Sequence, residues 1–255
     1  MSKVKILPFP KERAHTFYFL KYARNYPTVH INTSIDMTAI INSRNKLLEE
    51  KGMKYSYITF LIEKIGTVIQ RYPQAKSAVK GMILPKVAYY EETHAKITID
   101  KNINGTRAVV SGLIQNVDQL SIHSIQEKVT YFRDSSFDDM EEFEPIRRLQ
   151  SLPLMLGQIV YNKFINSFTK REHLLGTYSI TSFGHRPIDF AYPVISSTLS
   201  FGVGRMKDTP VVIQDEVVIR PMLGVTLSFD HRALDGATAS DILSDVKNEL
   251  ECYQL

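Results

Sequence analysis

The sequence predicts a chain that mixes α-helices with β-strands, and three observations carry that expectation. Leu223, Val225, Leu227 and Phe229 alternate with Met222, Gly224, Thr226 and Ser228, the period of two that marks a half-buried strand. Ala239, Ile242, Leu243, Val246 and Leu250 then recur at helical spacing. Between two further strand-like runs, Asn104-Gly105 supplies the dipeptide that a tight hairpin turn favours.

Taken in order, Lys11 to Asn25 reads as a short helix broken before Pro27. Val29, Ile31, Thr33 and Ile35 share one face of a strand that runs to Asp36. Met37 to Lys51 is helical, with Gly52 as its stop, and Tyr57 to Arg71 is a second helix ending before Pro73. From Met82 to Ile114 the chain reads as strands: MILPKVAYYEE, AKITIDK and TRAVVSGLI. Leu120 to Phe132 is helical, and the acidic stretch Ser135 to Glu144 is expected to be a solvated loop. Leu149 to Phe168 is rich in Leu, Ile and Phe, yet Gln158, Asn162, Lys163 and Asn166 interrupt it. A membrane span needs about 20 predominantly apolar residues. Membrane contact is therefore not expected, and the segment is expected to be a helix or helical pair packed on the domain or on a neighbouring subunit, with a membrane-surface or partner-binding helix as the alternative.

The chain has 255 residues, 44% of them hydrophobic, enough for a sizeable core. No Pro/Gly/Ser-rich linker, repeat or low-complexity tract divides it, so one domain over residues 1–255 is expected, with a helical insertion at about 145–173. Cys252 is the single cysteine and has no internal partner, which fits a reducing compartment. The N-terminus, MSKVKILPFPKER, lacks the apolar core and cleavage site of a signal peptide, so a cytoplasmic location is expected. A net charge of +4 without a clustered basic stripe argues against nucleic acid as a partner.

The chemistry is expected in Ser228 to Gly236, SFDHRALDG. His231 stands where the strand ends and the last helix is about to begin, a turn that holds a side chain over a cleft. Gly236 is expected to permit the bend. Imidazole is the side chain whose ordinary titration falls near neutral pH, which suits a general base. The other histidines, His15, His30, His94, His123, His173 and His185, show no metal-ligand spacing, so no metal is expected. Gly202 and Gly204 do not form a dinucleotide fingerprint, and neither a P-loop nor a Gly-x-Ser-x-Gly elbow is present.

His-x-x-x-Asp-Gly preceded by Ser-Phe-Asp resembles the active-site signature of the catalytic domain of 2-oxoacid dehydrogenase acyltransferases, within the chloramphenicol acetyltransferase-like superfamily. TYSITSFG, Thr177 to Gly184, resembles that family's second signature. The run VHINTSIDMTAI with the helices after it, and YPVISSTLSFGVGRM, Tyr192 to Met206, resemble further segments. KITIDKNINGTRAVVSGLIQNVDQLSIHSIQEK resembles the central segment that lines an acyl-CoA channel. There Ser111 or a neighbour replaces a usual proline and Gln115 a frequent arginine.

The resemblance implies an α+β fold, a mixed β-sheet covered by helices, assembled as a homotrimer with the active site between subunits. It implies that His231 is the catalytic base, that Thr181 donates to the oxyanion, and that Asp235 holds the turn through an arginine, Arg13 or Arg24. Either arginine reads equally well as a plain surface charge. It also implies CoA or acyl-CoA, or an acyl-carrier thioester, as substrate, with no permanently bound cofactor and unknown CoA contacts. The chain has no lipoyl or peripheral subunit-binding segment, so a free-standing transferase of specialised metabolism is expected. Two rivals stay open: a hydrolase in which the same histidine activates water, and a non-catalytic trimeric scaffold.

Overall fold

A computed structural model of the chain describes residues 4–81, 83–195 and 197–255. Its helices and strands follow in the order α1 (Ala14–Ala23), β1 (Thr28–Asp36), α2 (Thr38–Lys51), α3 (Tyr57–Ile69), β2 (Ser77–Lys80), β3 (Lys86–Tyr89), β4 (Ala95–Ile103), β5 (Thr106–Ile114) and α4 (Ile122–Asp134). They continue with α5 (Glu144–Ser151), α6 (Leu154–Ile165), α7 (Phe168–Leu175), β6 (Tyr178–Ser182), β7 (Leu199–Ile213), β8 (Glu216–Asp230) and α8 (Gly236–Glu251).

Six strands form one sheet in the order β1-β8-β7-β6-β4-β5, while β2 and β3 pair by themselves. The large sheet is mixed: β6 runs parallel to β4 and β7, and the remaining pairs are antiparallel. The β4–β5 turn is Asn104-Gly105, both in the left-handed region at φ 51° and 79°, as such a hairpin requires. Gly52 ends α2 with φ 64°.

The alternation read from the sequence sorts the two faces of the sheet. Ile35, Ile97, Val110, Ile180, Phe201 and Phe229 all join the main core, into which α3 sends Phe60, Ile65 and Val68 and α8 sends Ile242, Val246 and Leu250. The opposite face is polar. Lys96, Ser179, Ser200 and Ser228 stand at one level across β4, β6, β7 and β8, and His30 continues the row on β1. Buried hydroxyls need partners, and two contacts within the row supply them: Ser179 Oγ donates to Ser200 Oγ at 2.7 Å, and His30 Nδ1 lies 2.7 Å from Ser228 Oγ.

Helices α1, α5, α6 and α7 lie over part of that polar face. Ala14 and Tyr18 of α1 pack with Tyr161 and Ile165 of α6 and Leu175 of α7 in a second, smaller core. Gly157 allows the approach, because a Cβ there would collide with the Tyr18 phenol. The apolar segment expected as a helix or helical pair is thus α6 with its flanking turns, packed on α1. No helix among the described residues is long and apolar enough to cross a membrane.

Three expectations change. The strand expected from Met82, a residue outside those described, is only Lys86–Tyr89, and its partner Ser77–Lys80 was not anticipated. Asp138, Asp139, Glu141 and Glu142 are exposed as expected, but Phe137, Met140 and Phe143 between them are buried in the main core. A loop with no period hides such anchors. Gly236 has no left-handed φ and is simply the first residue of α8, so the bend before it does not depend on glycine freedom.

Candidate active site

The end of β8 builds the turn around His231. Phe229 points into the core and Asp230 onto the opposite face, where it is 1% exposed. Its carboxylate receives Arg232 on both oxygens, Nε to Oδ1 at 2.9 Å and Nη2 to Oδ2 at 2.7 Å. The backbone N–H groups of Ala233 and Leu234 donate to the Asp230 carbonyl, and the His231 N–H donates to the Pro27 carbonyl at 3.1 Å. The Arg232 guanidinium lies 4.8 Å from the centre of the Tyr26 ring. From α7, the buried Arg171 donates to the Tyr26 hydroxyl at 2.5 Å. The histidine backbone is therefore held on both sides while its ring, 5.7 Å from that of Phe229, belongs to an exposed residue.

Asp235 caps α8: its Oδ1 accepts the Thr238 N–H at 2.8 Å. That bond holds its carboxyl below the ordinary carboxylate range, with the nearby His231 charge as a smaller influence. No arginine among the described residues of the chain reaches it. Arg13 and Arg24 are both exposed, and the arginine on this turn is Arg232, bound to Asp230 instead.

Thr181 lies on β6, paired with Gly202, which pairs in turn with Thr226 of β8. His231 is five residues beyond Thr226, roughly 17 Å along the strand direction. One chain therefore does not bring His231 and Thr181 together. Thr181 instead lines a cavity of about 660 Å³ between the polar face of the sheet and α1, α5, α6 and α7. Ser111 and Gln115 line it as well. Beside it, the loop before β7 crosses the sheet so closely that a Cβ on Gly202 or Gly204 would strike the carbonyl of Ala191 or Asp189. Those two glycines serve backbone packing.

The cavity also holds Lys96, 7% exposed, with its Nζ 5.4 Å from the Phe19 ring centre. Burial, aided by the positive charge of Arg171, pushes the amine down to about 8. His15, Glu142, Tyr161, His173 and Tyr192 are the other titratable groups in the lining. Burial lowers His15, whose Nε2 lies 2.9 Å from the Val109 carbonyl oxygen. Sequence reasoning had no hold on Lys96. Its place between Ala95 and Ile97 puts it on the face opposite the core, and only α1 and the helices from residues 144–175 turn that face into an interior.

A family model described as 2-oxoacid dehydrogenases acyltransferase (catalytic domain) matches residues 2–136 and 164–255. The chain belongs to this family. The unmatched residues 137–163 comprise the end of the acidic loop, α5 and most of α6. The succinyltransferase component of the 2-oxoglutarate dehydrogenase complex of Cupriavidus necator is 24% identical over 85% of the chain and 45% of that protein. The acetyltransferase component of the pyruvate dehydrogenase complex of Acholeplasma laidlawii is 26% identical over 88% of the chain and 36% of that protein. The chain spans less than half the length of these relatives. Among solved structures, the dihydrolipoamide acetyltransferase of Azotobacter vinelandii superposes with a TM-score of 0.74 at 18% identity, over 98% of this chain and 92% of that one. A probable dihydrolipoamide acetyltransferase from Listeria monocytogenes gives 0.71 at 20% identity, over 98% and 94%. The fold is thus the expected α+β, chloramphenicol acetyltransferase-like one, a mixed sheet covered by helices.

Proposed function

We propose that this acyltransferase moves an acyl group between CoA and a second thiol, of which a dihydrolipoyl group is the one named for the relatives, at a site shared by two chains of a homotrimer. His231 removes the proton of the attacking thiol as sulfur adds to the thioester carbonyl. The hydroxyl of Thr181 from the adjacent chain donates to the oxygen on which negative charge develops. As the tetrahedral intermediate collapses, the CoA sulfur leaves and takes the proton back from the imidazolium. Asp235 fixes the start of α8 and so the far side of the histidine turn.

The observation that carries this reading is the placement of His231. It stands at the end of β8, anchored by Asp230, Arg232 and Pro27 and exposed toward whatever docks there. The Azotobacter enzyme, studied for a serine, a histidine and an asparagine in its mechanism, has the last two four residues apart, as are His231 and Asp235 here. The separation of His231 from Thr181 within one chain supports a shared site. So does the cubic core that a relative forms in a pyruvate dehydrogenase complex.

The test is calorimetric titration with CoA and acetyl-CoA, followed by transfer of acetyl to dihydrolipoamide by wild type and His231→Ala. Micromolar binding with turnover that falls at least a thousandfold in the variant is expected. Release of free acetate with no acceptor present would point to a hydrolase. Binding of neither ligand would overturn CoA as the donor.

A further inference from the structure

We propose that Tyr26 is a positioning residue for His231, acting through the guanidinium of Arg232. This rests on the reading of His231 as the base of acyl transfer.

His231 is exposed, and an exposed side chain changes rotamer freely unless its backbone and its neighbours are held. The segment between α1 and β1 supplies that hold. The Arg232 guanidinium lies over the Tyr26 ring, 4.8 Å from its centre, while its Nε and Nη2 grip the two oxygens of Asp230 on the other side of the histidine. A guanidinium stacked on an aromatic face keeps its planar fork aimed and leaves its N–H groups free to bind the carboxylate. The residue after Tyr26 makes a second contact. Pro27, with φ fixed by its ring, accepts the His231 N–H through its carbonyl at 3.1 Å. Two consecutive residues thus reach the histidine backbone and the side chain that follows it.

Tyr26 is itself held firmly. It is buried, its hydroxyl accepts from Arg171 of α7 at 2.5 Å and donates to the Tyr22 hydroxyl at 3.2 Å, and its ring meets that of Tyr22 edge-on with centres 5.6 Å apart. Burial pushes its phenol well above the ordinary range, against the opposite pull of Arg171, so the ring is neutral wherever an imidazole titrates. Arg232 therefore rests on a fixed, uncharged face, and Asp230 faces no phenolate competing for the guanidinium. A tyrosine that only filled space would be replaceable by any apolar side chain of similar size. One that works by its ring face would not.

The experiment measures acetyl transfer from acetyl-CoA to dihydrolipoamide by wild type, Tyr26→Phe, Tyr26→Leu and Tyr26→Met, each also in an Arg232→Met background, with circular dichroism to confirm the fold. Tyr26→Phe keeps the ring and is expected to retain kcat within threefold. Leu and the more adaptable Met fill much of the space without a ring face. Both are expected to lose kcat at least tenfold while KM for acetyl-CoA changes less than threefold. In the Arg232→Met background the same substitutions are expected to cost less than threefold, because the residue they act through is already gone. A second readout needs no turnover. NMR cross-peaks between the rings of His231 and Phe229, whose centres lie 5.7 Å apart, are expected in wild type and Tyr26→Phe and are expected to vanish in Tyr26→Leu and Tyr26→Met. Unchanged kcat in Tyr26→Leu and Tyr26→Met, a loss in Tyr26→Phe as large as theirs, or losses that simply add to that of Arg232→Met would overturn the proposal while acyl transfer itself stood. Cross-peaks that depend on a ring at position 26, without turnover of acetyl-CoA by wild type, would instead uphold the positioning and count against the acyl-transfer reading.

Discussion

Arg232 grips both carboxylate oxygens of Asp230, at 2.9 and 2.7 Å, and the two residues flank His231. The pair closes a bracket around the candidate base. Asp230 is buried and Arg232 about one-third exposed, so removing the guanidinium strands a carboxylate that water reaches poorly. Breaking a buried pair from one side costs more than replacing both partners. Arg232→Met is expected to lower stability by about 2–4 kcal/mol in urea unfolding. Asp230→Asn combined with Arg232→Met is expected to recover part of that loss. If the bracket positions the imidazole, kcat falls in both variants while KM for the acyl donor changes little.

His231 and Thr181 lie far apart within a chain because β8 carries the histidine five residues past the level of Thr181. If each site takes one residue from each of two neighbours, chains that lack different members complement one another. In a ring of three chains, random mixing of His231→Ala with Thr181→Ala is expected to restore about one quarter of the wild-type sites. Each parent alone is expected to be inactive. Activity measured on verified mixed trimers checks this, and complete absence of recovery would place both residues' work within single chains or elsewhere.

The strands and helices could be read because each packs one face, and burial of one face imposes a period. Phe229, Val225 and Ile35 therefore announced their side of the sheet, and Val246 and Leu250 theirs of α8. Sheet order could not be read this way, since β6 joins β4 and β7 across long stretches of chain and no local period records a partner. The site was legible where its residues adjoin, as in Asp230 to Asp235. Even there, a spacing of two such as Asp230–Arg232 has no signature of its own. Lys96 and Arg171 were illegible because their meeting depends on α7 folding back over the polar face.

Asp235 offers a test at acid pH. The Thr238 N–H holds its carboxyl below the ordinary 3.8. The ionised cap therefore adds stability that is fully present above that value and is lost as pH falls through the lower, folded-state value. Asp235→Asn retains an oxygen acceptor and Asp235→Ala does not, so the alanine variant is expected to be the less stable at pH 7. The gap between wild type and Asp235→Asn is expected to narrow as pH is lowered from 5 toward 3. Urea midpoints across that range decide it, and a constant gap would mean that the charge of the cap is irrelevant.

Lys96 has the opposite sign. Its folded-state value near 8 lies below the ordinary 10.5, so the unfolded chain holds the proton more tightly between those limits. Stability is expected to rise with pH from about 8 toward 10.5, because the folded state no longer confines a charge. At pH 7 the confinement costs at most about 3.5 kcal/mol, at roughly 1.4 kcal/mol for each pH unit between 8 and 10.5. Lys96→Met keeps the shape of the stem and removes the charge, so it is expected to be more stable than wild type at pH 7. Its advantage is expected to shrink as pH approaches 10. If Lys96→Met proves less stable at every pH, the contacts of the amine outweigh the cost of confining its charge.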